Sequence, residues 1–313
     1  MRIWAAILLL AATPAAAQPT SASVPAQTPP QAAESVTVTA TPLPHRSAVD
    51  EFIYSYPVPV RTTDKIGRWK NGICPMVEGL PPRFAAFITR RLTAIARNAG
   101  APVNADPKCR HNIEVIFTDK PQVLADDLRK SHRPYLGYFD NLNQAAELAT
   151  VKHPIQAWYL TATVDFHGAL YVDNPRAKFF NGPAAAQPAS LSGIAVEGYA
   201  AQGGRLNNGI SSTLYNVIIV ADPSKLGDYE MGSLADYIAM LALSQPKRFD
   251  ACWEVPSITN LLSRDCEPAR KTATISDNDA AFLHGLYKMG ASDSVWAQRS
   301  EIRYFMERHA ASK

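Results

Sequence analysis

The amino-acid sequence predicts an α+β fold in a single folded domain. Three observations support this class. Several segments carry apolar residues at helical spacing, and several others are short apolar runs typical of buried strands. The two kinds of segment follow one another without regular alternation, and the chain contains no internal repeat. An irregular order of strands and helices is expected of an α+β domain.

Three short apolar segments are predicted to be strands. They are residues 112–118 (NIEVIFT), 157–166 (AWYLTATVDF) and 217–220 (VIIV). Each is rich in the β-branched and aromatic residues that fit a pleated, buried surface. Ala221-Asp222-Pro223 follows the third segment and is expected to end it, because proline has no N–H to donate to a strand ladder.

The first predicted helices lie in the N-terminal half. One follows Pro81-Pro82 and ends at Gly100, and its apolar residues share one face. These residues are Phe84, Phe87, Ile88, Leu92 and Ile95. Asp119 is predicted to cap a second helix, which has Pro121 in its first turn.

Three more helices are predicted in the C-terminal half. Residues 231–244 form a strongly apolar helix that stops before Pro246. Ser276, with Asp279 three residues later, has the spacing of a capping box at the start of the next helix. The last helix is amphipathic and carries Val295, Trp296, Ile302, Phe305 and Met306.

Residues 167–216 are rich in Gly, Ala, Asn and Pro, which predicts a long irregular excursion. The folded α+β domain is expected to span residues 48–313. It is either one body or two lobes divided by this excursion.

The N-terminus has the pattern of a secretory signal peptide. Met1-Arg2 supply a short positive region, residues 3–13 are apolar, and Ala15-Ala16-Ala17 form an A-x-A cleavage site. The apolar run is too short for a permanent membrane anchor, which needs about 20 residues. We therefore expect residues 1–17 to be removed, and the protein to be periplasmic or secreted.

Residues 18–47 are rich in Pro, Ala, Ser and Thr, and we expect a disordered leader there. Within it, residues 34–40 (ESVTVTA, Glu34 to Ala40) are alternating and β-prone. This stretch resembles the TonB box of outer-membrane receptors, which is recognised by strand addition. The resemblance implies an envelope protein partner. The alternative is a β-prone patch in a linker.

Composition excludes some partners. The net charge is +3 over 313 residues, which is too balanced to indicate a nucleic-acid surface. After the signal, no apolar stretch is long enough to span a membrane. The apolar fraction of 47% is that of an ordinary folded protein.

Four cysteines follow the signal, and an even number in an exported protein indicates disulfides. Three connectivities are possible. Proximity in sequence favours Cys74–Cys109 and Cys252–Cys266. A metal site is the alternative, but no C-x-x-C or close Cys/His cluster supports it.

Motifs for catalysis and cofactors are absent. The chain has no H-E-x-x-H, no G-x-S-x-G and no glycine-rich phosphate loop, so we predict no metal and no cofactor. One S-x-x-K occurs at Ser244 to Lys247. It falls at a helix C-terminus, where the helix dipole disfavours an anionic nucleophile. The seven histidines are separated by ten residues or more, at His45, His111, His132, His153, His167, His284 and His309.

The order of a strand (VIIV), an apolar helix (GSLADYIAMLAL) and a turn (PSITN) resembles the core of zincin-type metalloproteases. Together with the first long helix, strand 112–118 and the helix after Ser276, it also resembles an uncharacterised secreted proteobacterial family with zincin-like topology. The resemblance covers most of residues 60–313. It implies a zincin-like mixed sheet with packed helices.

The departures from that pattern determine the expected chemistry. Aligned on the helix, Ala235 and Ala239 stand where zincins have their two histidine ligands, and Asp236 stands where they have the general base. A catalytic zinc needs three protein ligands and an open position. We therefore expect a non-catalytic binding or scaffold protein of the cell envelope. The alternative is a periplasmic hydrolase with a site near Asp236 and residues 167–216. Neither the ligand nor the oligomeric state follows from the sequence.

Overall fold

A computed structural model of the protein describes residues 46–173 and 209–311. The helices in these ranges are α1 (Arg46–Ser55), α2 (Pro82–Ala99), α3 (Pro121–Ser131), α4 (Leu142–Leu148), α5 (Met231–Leu243), α6 (Asp277–Lys288) and α7 (Val295–Ala311). The strands are β1 (Pro59–Val60), β2 (Lys65–Ile66), β3 (Pro75–Glu78), β4 (Ile113–Phe117), β5 (Ile155–Val164), β6 (Leu170–Val172) and β7 (Ser211–Ala221). Short 3₁₀ turns occupy Arg133–Leu136, Pro223–Lys225, Ile258–Asn260 and Pro268–Arg270.

The main sheet has five strands in the order β3-β4-β7-β5-β6. Strands β3, β4 and β7 are parallel, whereas β5 is antiparallel to β7 and β6 is antiparallel to β5. β1 and β2 form a separate antiparallel pair. The predicted α+β class in a single domain is confirmed, and its main sheet is mixed.

Helices cover both faces of the main sheet. On one face, α1, α2, α5, α6 and α7 build the larger apolar core against Val115, Tyr159 and Ile219. On the other face, α3, α4 and the turn Arg133–Leu136 build a smaller core against Trp158 and Ile218. Alternate residues of β4 serve the two faces, because Ile113, Val115 and Phe117 belong to the larger core and Ile116 packs against the smaller one.

Helix α5 lies in the middle of the larger core. Every side chain from Ser233 to Leu243 is buried, so this helix has no solvated face. It packs against α2 and β7. The apolar sequence of α5 is therefore that of a core helix.

Local signals in the sequence placed several element ends correctly. Helix α2 ends at Gly100, whose φ of 83° is the left-handed conformation that glycine adopts at helix C-termini. Ser276 and Asp279 form the predicted capping box of α6. Asp119 is not the cap of α3, because the N-cap position is Lys120 and no side chain caps it. Pro121 at the helix start needs no donor partner, which makes a side-chain cap less necessary there.

Two other expectations need correction. The predicted irregular excursion 167–216 contains β6 and the first six residues of β7. The polar residues of this segment predicted irregular structure, but those in β6 and β7 pair with β5 as strand residues. Helix α1 starts at Arg46, one residue before the predicted end of the leader at Ser47. Residues 1–17, 34–40 and 174–208 lie outside the described part of the chain.

Both predicted disulfides are present. Cys74 is bonded to Cys109 and Cys252 to Cys266, with Cα–Cα distances of 6.0 Å and 5.1 Å. These distances fall in the usual range for a disulfide. None of the helices in the described ranges combines the length and apolar character needed to cross a membrane.

Candidate functional site

Asp236, the catalytic candidate from the sequence, forms a buried ion pair. Its side chain is 0% exposed, and Arg91 of α2 donates to both of its oxygens. Arg91 Nε lies 2.5 Å from Oδ1, and Nη2 lies 2.8 Å from Oδ2. The backbone N–H of Ile275 donates to Oδ2 at 2.8 Å. The hydrogen bond that Arg91 donates to Asp236 raises the pKa of Arg91 above its usual value.

The helix positions aligned with H-E-x-x-H all lie in the core. Ala235, Asp236 and Ala239 are each 0% exposed. No group of three or more His, Cys, Asp or Glu side chains in residues 46–173 and 209–311 is arranged to hold a metal ion. Helix α5 is buried in the core and is joined to α2 by the ion pair of Arg91 with Asp236.

The segment aligned with the turn beneath a zincin metal is tied to α6. The buried carboxylate of Asp279 accepts hydrogen bonds from Ser257 Oγ, from the N–H of Ile258 and from Ser276. Burial raises the pKa of Asp279, and these hydrogen bonds partly oppose that rise. The amide of Asn260 makes four hydrogen bonds to the backbone around it. The side chains of Asp279 and Asn260 therefore use their polar atoms in hydrogen bonds within the protein.

Ser244, the serine of the S-x-x-K sequence, is fully buried. Its Oγ donates to the carbonyl of Met240 at 2.6 Å and lies 3.1 Å from the hydroxyl of Tyr56. Lys247 forms no hydrogen bond with Ser244 in the part of the chain that the structure describes. This arrangement gives no activated nucleophile.

A polar cleft of about 220 Å³ opens where β4 begins and β7 is irregular. We call it the Tyr215 cleft. Three strand residues, Glu114, Tyr215 and Asn216, form part of its wall. It is also lined by Trp69, Asn71, Arg110, His111, Asn112, Tyr135 and Leu214.

A β-bulge shapes this cleft. In the pairing of β5 with β7, Leu160 is opposite Asn216 and Thr161 is opposite Leu214, so Tyr215 has no opposite residue. Tyr215 is 38% exposed, although both of its neighbours in the strand are buried. Bulges are over-represented beside functional sites because they redirect a side chain. Here the extra residue places a tyrosine ring in the wall of a polar cleft.

Asn216 is buried but incompletely hydrogen-bonded. The residue is only 7% exposed, and its side-chain Nδ2 donates to Glu114 Oε1 at 3.3 Å. Its Oδ1 is buried and has no hydrogen-bond partner in the described structure. An unpaired buried acceptor costs about 1–3 kcal/mol, and such groups are rare in folded proteins. The cleft wall therefore contains a polar atom that lacks a partner.

A loop that is anchored on both sides carries Arg110, another residue of the cleft lining. Cys109 is bonded to Cys74, and the Asn112 side chain accepts from the N–H of Cys74 at 2.7 Å and donates to the carbonyl of Gly72 at 3.1 Å. Arg110 lies between these two anchors and is exposed. Among the described residues it has no hydrogen bond or ion pair.

A second cleft, of about 290 Å³, lies along the outer edge of β5. Its lining includes Arg61, Tyr138, Tyr159 and Gln245. Arg61 pairs with Asp140 at 2.6 Å and lies over the ring of Tyr138, so its charge is already compensated. Gln245 Oε1 is buried without a partner in the described structure. The Tyr215 cleft differs in holding two charged side chains that lack counterions.

Sequence reasoning did not identify the residues of the Tyr215 cleft. Two signals were present. Glu114 interrupts an otherwise apolar strand, and Tyr215-Asn216 separate Leu214 from the apolar run that starts at Val217. A break in strand alternation is the pattern that a bulge leaves in a sequence.

No protein-family model, curated protein or solved structure matches this chain. The proposals below therefore depend on the geometry of its own residues.

Proposed function

We propose that this protein is a non-catalytic binding protein of the cell envelope, in which a zincin-like helix has become part of the core. The observation that carries the proposal is the ion pair of Arg91 with Asp236. Both carboxylate oxygens already accept hydrogen bonds. A general base must instead reach a water or a substrate proton.

The neighbouring positions support the same conclusion. Zinc hydrolysis needs three nitrogen, oxygen or sulfur ligands and an open coordination position. Ala235 and Ala239 have methyl groups, which donate no lone pair, and both are enclosed by the core. A hydrolase built on α5 would need these positions at the wall of a cleft.

Export is part of the proposal. The two disulfides favour an oxidising compartment, because such bonds rarely persist in the cytosol. The A-x-A site before Gln18 gives the route of export. We assign the mature protein to the periplasm or the exterior. Mass spectrometry of an osmotic-shock fraction should find Gln18 as the first residue, and an intact Met1 would contradict the assignment.

The Tyr215 cleft is the proposed binding site. It combines a bulged strand, an unpaired buried acceptor and two uncompensated charges in a concavity. Small-ligand sites are typically concave and carry a few placed polar groups. A volume of about 220 Å³ favours a small molecule over a protein segment.

The metal content of the purified protein tests the non-catalytic part of the proposal. Protein should be purified without a chelator and without a histidine tag, and its zinc measured by elemental analysis. We expect far less than one zinc per chain. A content of about one zinc per chain would overturn the proposal, because structural or catalytic sites are filled stoichiometrically.

A further inference from the structure

Two opposite charges face the Tyr215 cleft without counterions. The carboxylate of Glu114 accepts one hydrogen bond, from Asn216, and forms no ion pair with any described residue. Arg110 has no ion pair either, and the two do not pair with each other. Glu114 is partly buried, and such charges are usually compensated by a partner of opposite sign, whereas Arg110 is exposed and its charge is accessible to a ligand. A ligand that brings both signs would compensate both side chains.

The Glu114 side of the cleft is suited to an ammonium group. An ammonium has three N–H donors, and the carboxylate of Glu114, which accepts one hydrogen bond from Asn216 Nδ2, has further lone pairs to accept from it. Asn216 Oδ1 is covered by protein, so the accessible acceptor on this side is the carboxylate of Glu114, and Tyr215 is the exposed neighbour of Asn216 in the strand. The rings of Tyr215 and Tyr135 line the same cleft, and aromatic rings attract cations.

The Arg110 side is suited to a carboxylate. A guanidinium binds a carboxylate through two parallel hydrogen bonds, which fixes the orientation of the ligand. The disulfide of Cys109 and the two hydrogen bonds of Asn112 hold the loop on both sides of Arg110. The backbone that carries the cation is thus fixed in place before binding.

Other ligand classes fit less well. A neutral sugar could bond to Glu114 and Asn216 but would leave the charge of Arg110 uncompensated. A simple anion would be repelled by Glu114, and a simple amine would be repelled by Arg110. The volume of about 220 Å³ limits the ligand to a few heavy atoms beyond the two charged groups.

From these observations we propose that the Tyr215 cleft binds a small zwitterion of the α-amino acid class. Its ammonium group contacts Glu114, and its carboxylate contacts Arg110. This inference rests on the proposed function and names the ligand class of that site.

Isothermal titration calorimetry on the full mature chain tests the ligand class. The probes are glycine, L-alanine, D-alanine and L-leucine, each compared with its N-acetyl derivative and its amide. We expect free amino acids to bind. Each blocked derivative, which lacks one charge, should bind about 10–100-fold more weakly, the range for losing one charged hydrogen bond.

Two charge-removing variants test the assignment of ends. Glu114→Gln should weaken binding by about 10–100-fold and remove the preference for a free amine over an N-acetyl group. Arg110→Gln should weaken binding similarly and remove the preference for a carboxylate over an amide. Arg90→Gln, an exposed change of equal charge on α2, is the matched control and should bind like the wild type. Equal unfolding midpoints of all variants would show that folding is intact.

Three outcomes would overturn the inference. One is that none of the free amino acids binds. Another is that glucose or acetate binds as tightly as the amino acids. The third is that Glu114→Gln and Arg110→Gln bind with wild-type affinity. All three leave the proposed function standing if the zinc content is low, whereas about one zinc per chain would remove that function whatever the cleft binds.

Discussion

Arg91 and Asp236 join α2 to α5 through two parallel hydrogen bonds, of 2.5 Å and 2.8 Å. The arginine side chain is 42% exposed, whereas the aspartate is completely buried. The arginine therefore reaches from the surface to neutralise a charge in the core. Removing it would leave that charge without a counterion.

Breaking this pair should strongly destabilise the protein. Because Arg91→Gln leaves the Asp236 carboxylate buried with only the N–H of Ile275, we expect a loss of about 3 kcal/mol in the free energy of unfolding. Urea denaturation measures it. Arg90→Gln, on the exposed part of the same helix turn, should change stability by less than about 0.5 kcal/mol.

A double variant separates the charge from the packing. Arg91→Leu with Asp236→Leu removes both charges, so it should be less destabilised than the sum of the two single variants. Additive losses would show that the two side chains act independently.

Two buried asparagines should respond oppositely to an apolar substitution. Asn216 has an unpaired Oδ1, so Asn216→Val removes an unsatisfied acceptor and places a strand-favouring residue in β7. We expect stability equal to or above that of the wild type. Asn260→Val removes four hydrogen bonds to buried backbone groups and should cost more than about 2 kcal/mol. Thermal unfolding of both variants provides the comparison, and a large loss for Asn216→Val would contradict it.

The two disulfides should have similar effects on stability and different effects on ligand binding. Replacing Cys252 and Cys266 by serine should cost roughly 3 kcal/mol, and replacing Cys74 and Cys109 roughly 4 kcal/mol, because the second loop is longer. Only the second replacement frees the loop that carries Arg110. We expect it alone to weaken amino-acid binding, as measured by calorimetry below the unfolding temperature.

The buried carboxyl group of Asp279 should stabilise the folded protein more at acidic pH than at neutral pH. Burial raises the pKa of Asp279 in the folded state above its unfolded value. The resulting stabilisation is fully present below the unfolded pKa of about 4 and is lost as pH rises through the folded pKa. Relative to Asp279→Asn, the wild type should therefore gain unfolding free energy as pH falls from about 7 to about 4. Urea denaturation across this range tests it.

Asp277→Asn, in the same helix turn but exposed, is the control for that experiment. Its difference from the wild type should change less with pH than the difference for Asp279→Asn. A pH-independent difference for Asp279→Asn would mean that the carboxylate titrates alike in the folded and unfolded states.

Local features of the fold were predictable, because short-range interactions determine them. The apolar face and Gly100 of α2 and the capping box of α6 are properties of a few adjacent residues. The sheet order was not predictable in this way. β5 and β7 are far apart in sequence, and their pairing depends on packing against both cores.

The same distinction explains why the cleft was missed. Glu114 and Asn216 are 102 positions apart, and only the parallel pairing of β4 with β7 brings them together. In the sequence each is a single polar residue beside an apolar run. The alignment with H-E-x-x-H made Asp236 a candidate site residue. Its partner Arg91 could not be predicted, because it is 145 positions away and belongs to a different helix.

The bulge at Tyr215 also has a consequence at the level of the gene. Leu214 and Val217 both face the larger core, which an uninterrupted strand with a two-residue period does not allow. Deleting the single codon for Tyr215 would remove the bulge and leave Leu214 two positions before Val217, so both side chains would still face the larger core. One in-frame deletion would thus remove the tyrosine ring from the wall of the cleft and leave the alternation of β7 intact. A three-nucleotide change of this kind should be better tolerated than the loss of a codon elsewhere in β7, which would turn part of the strand to the opposite face.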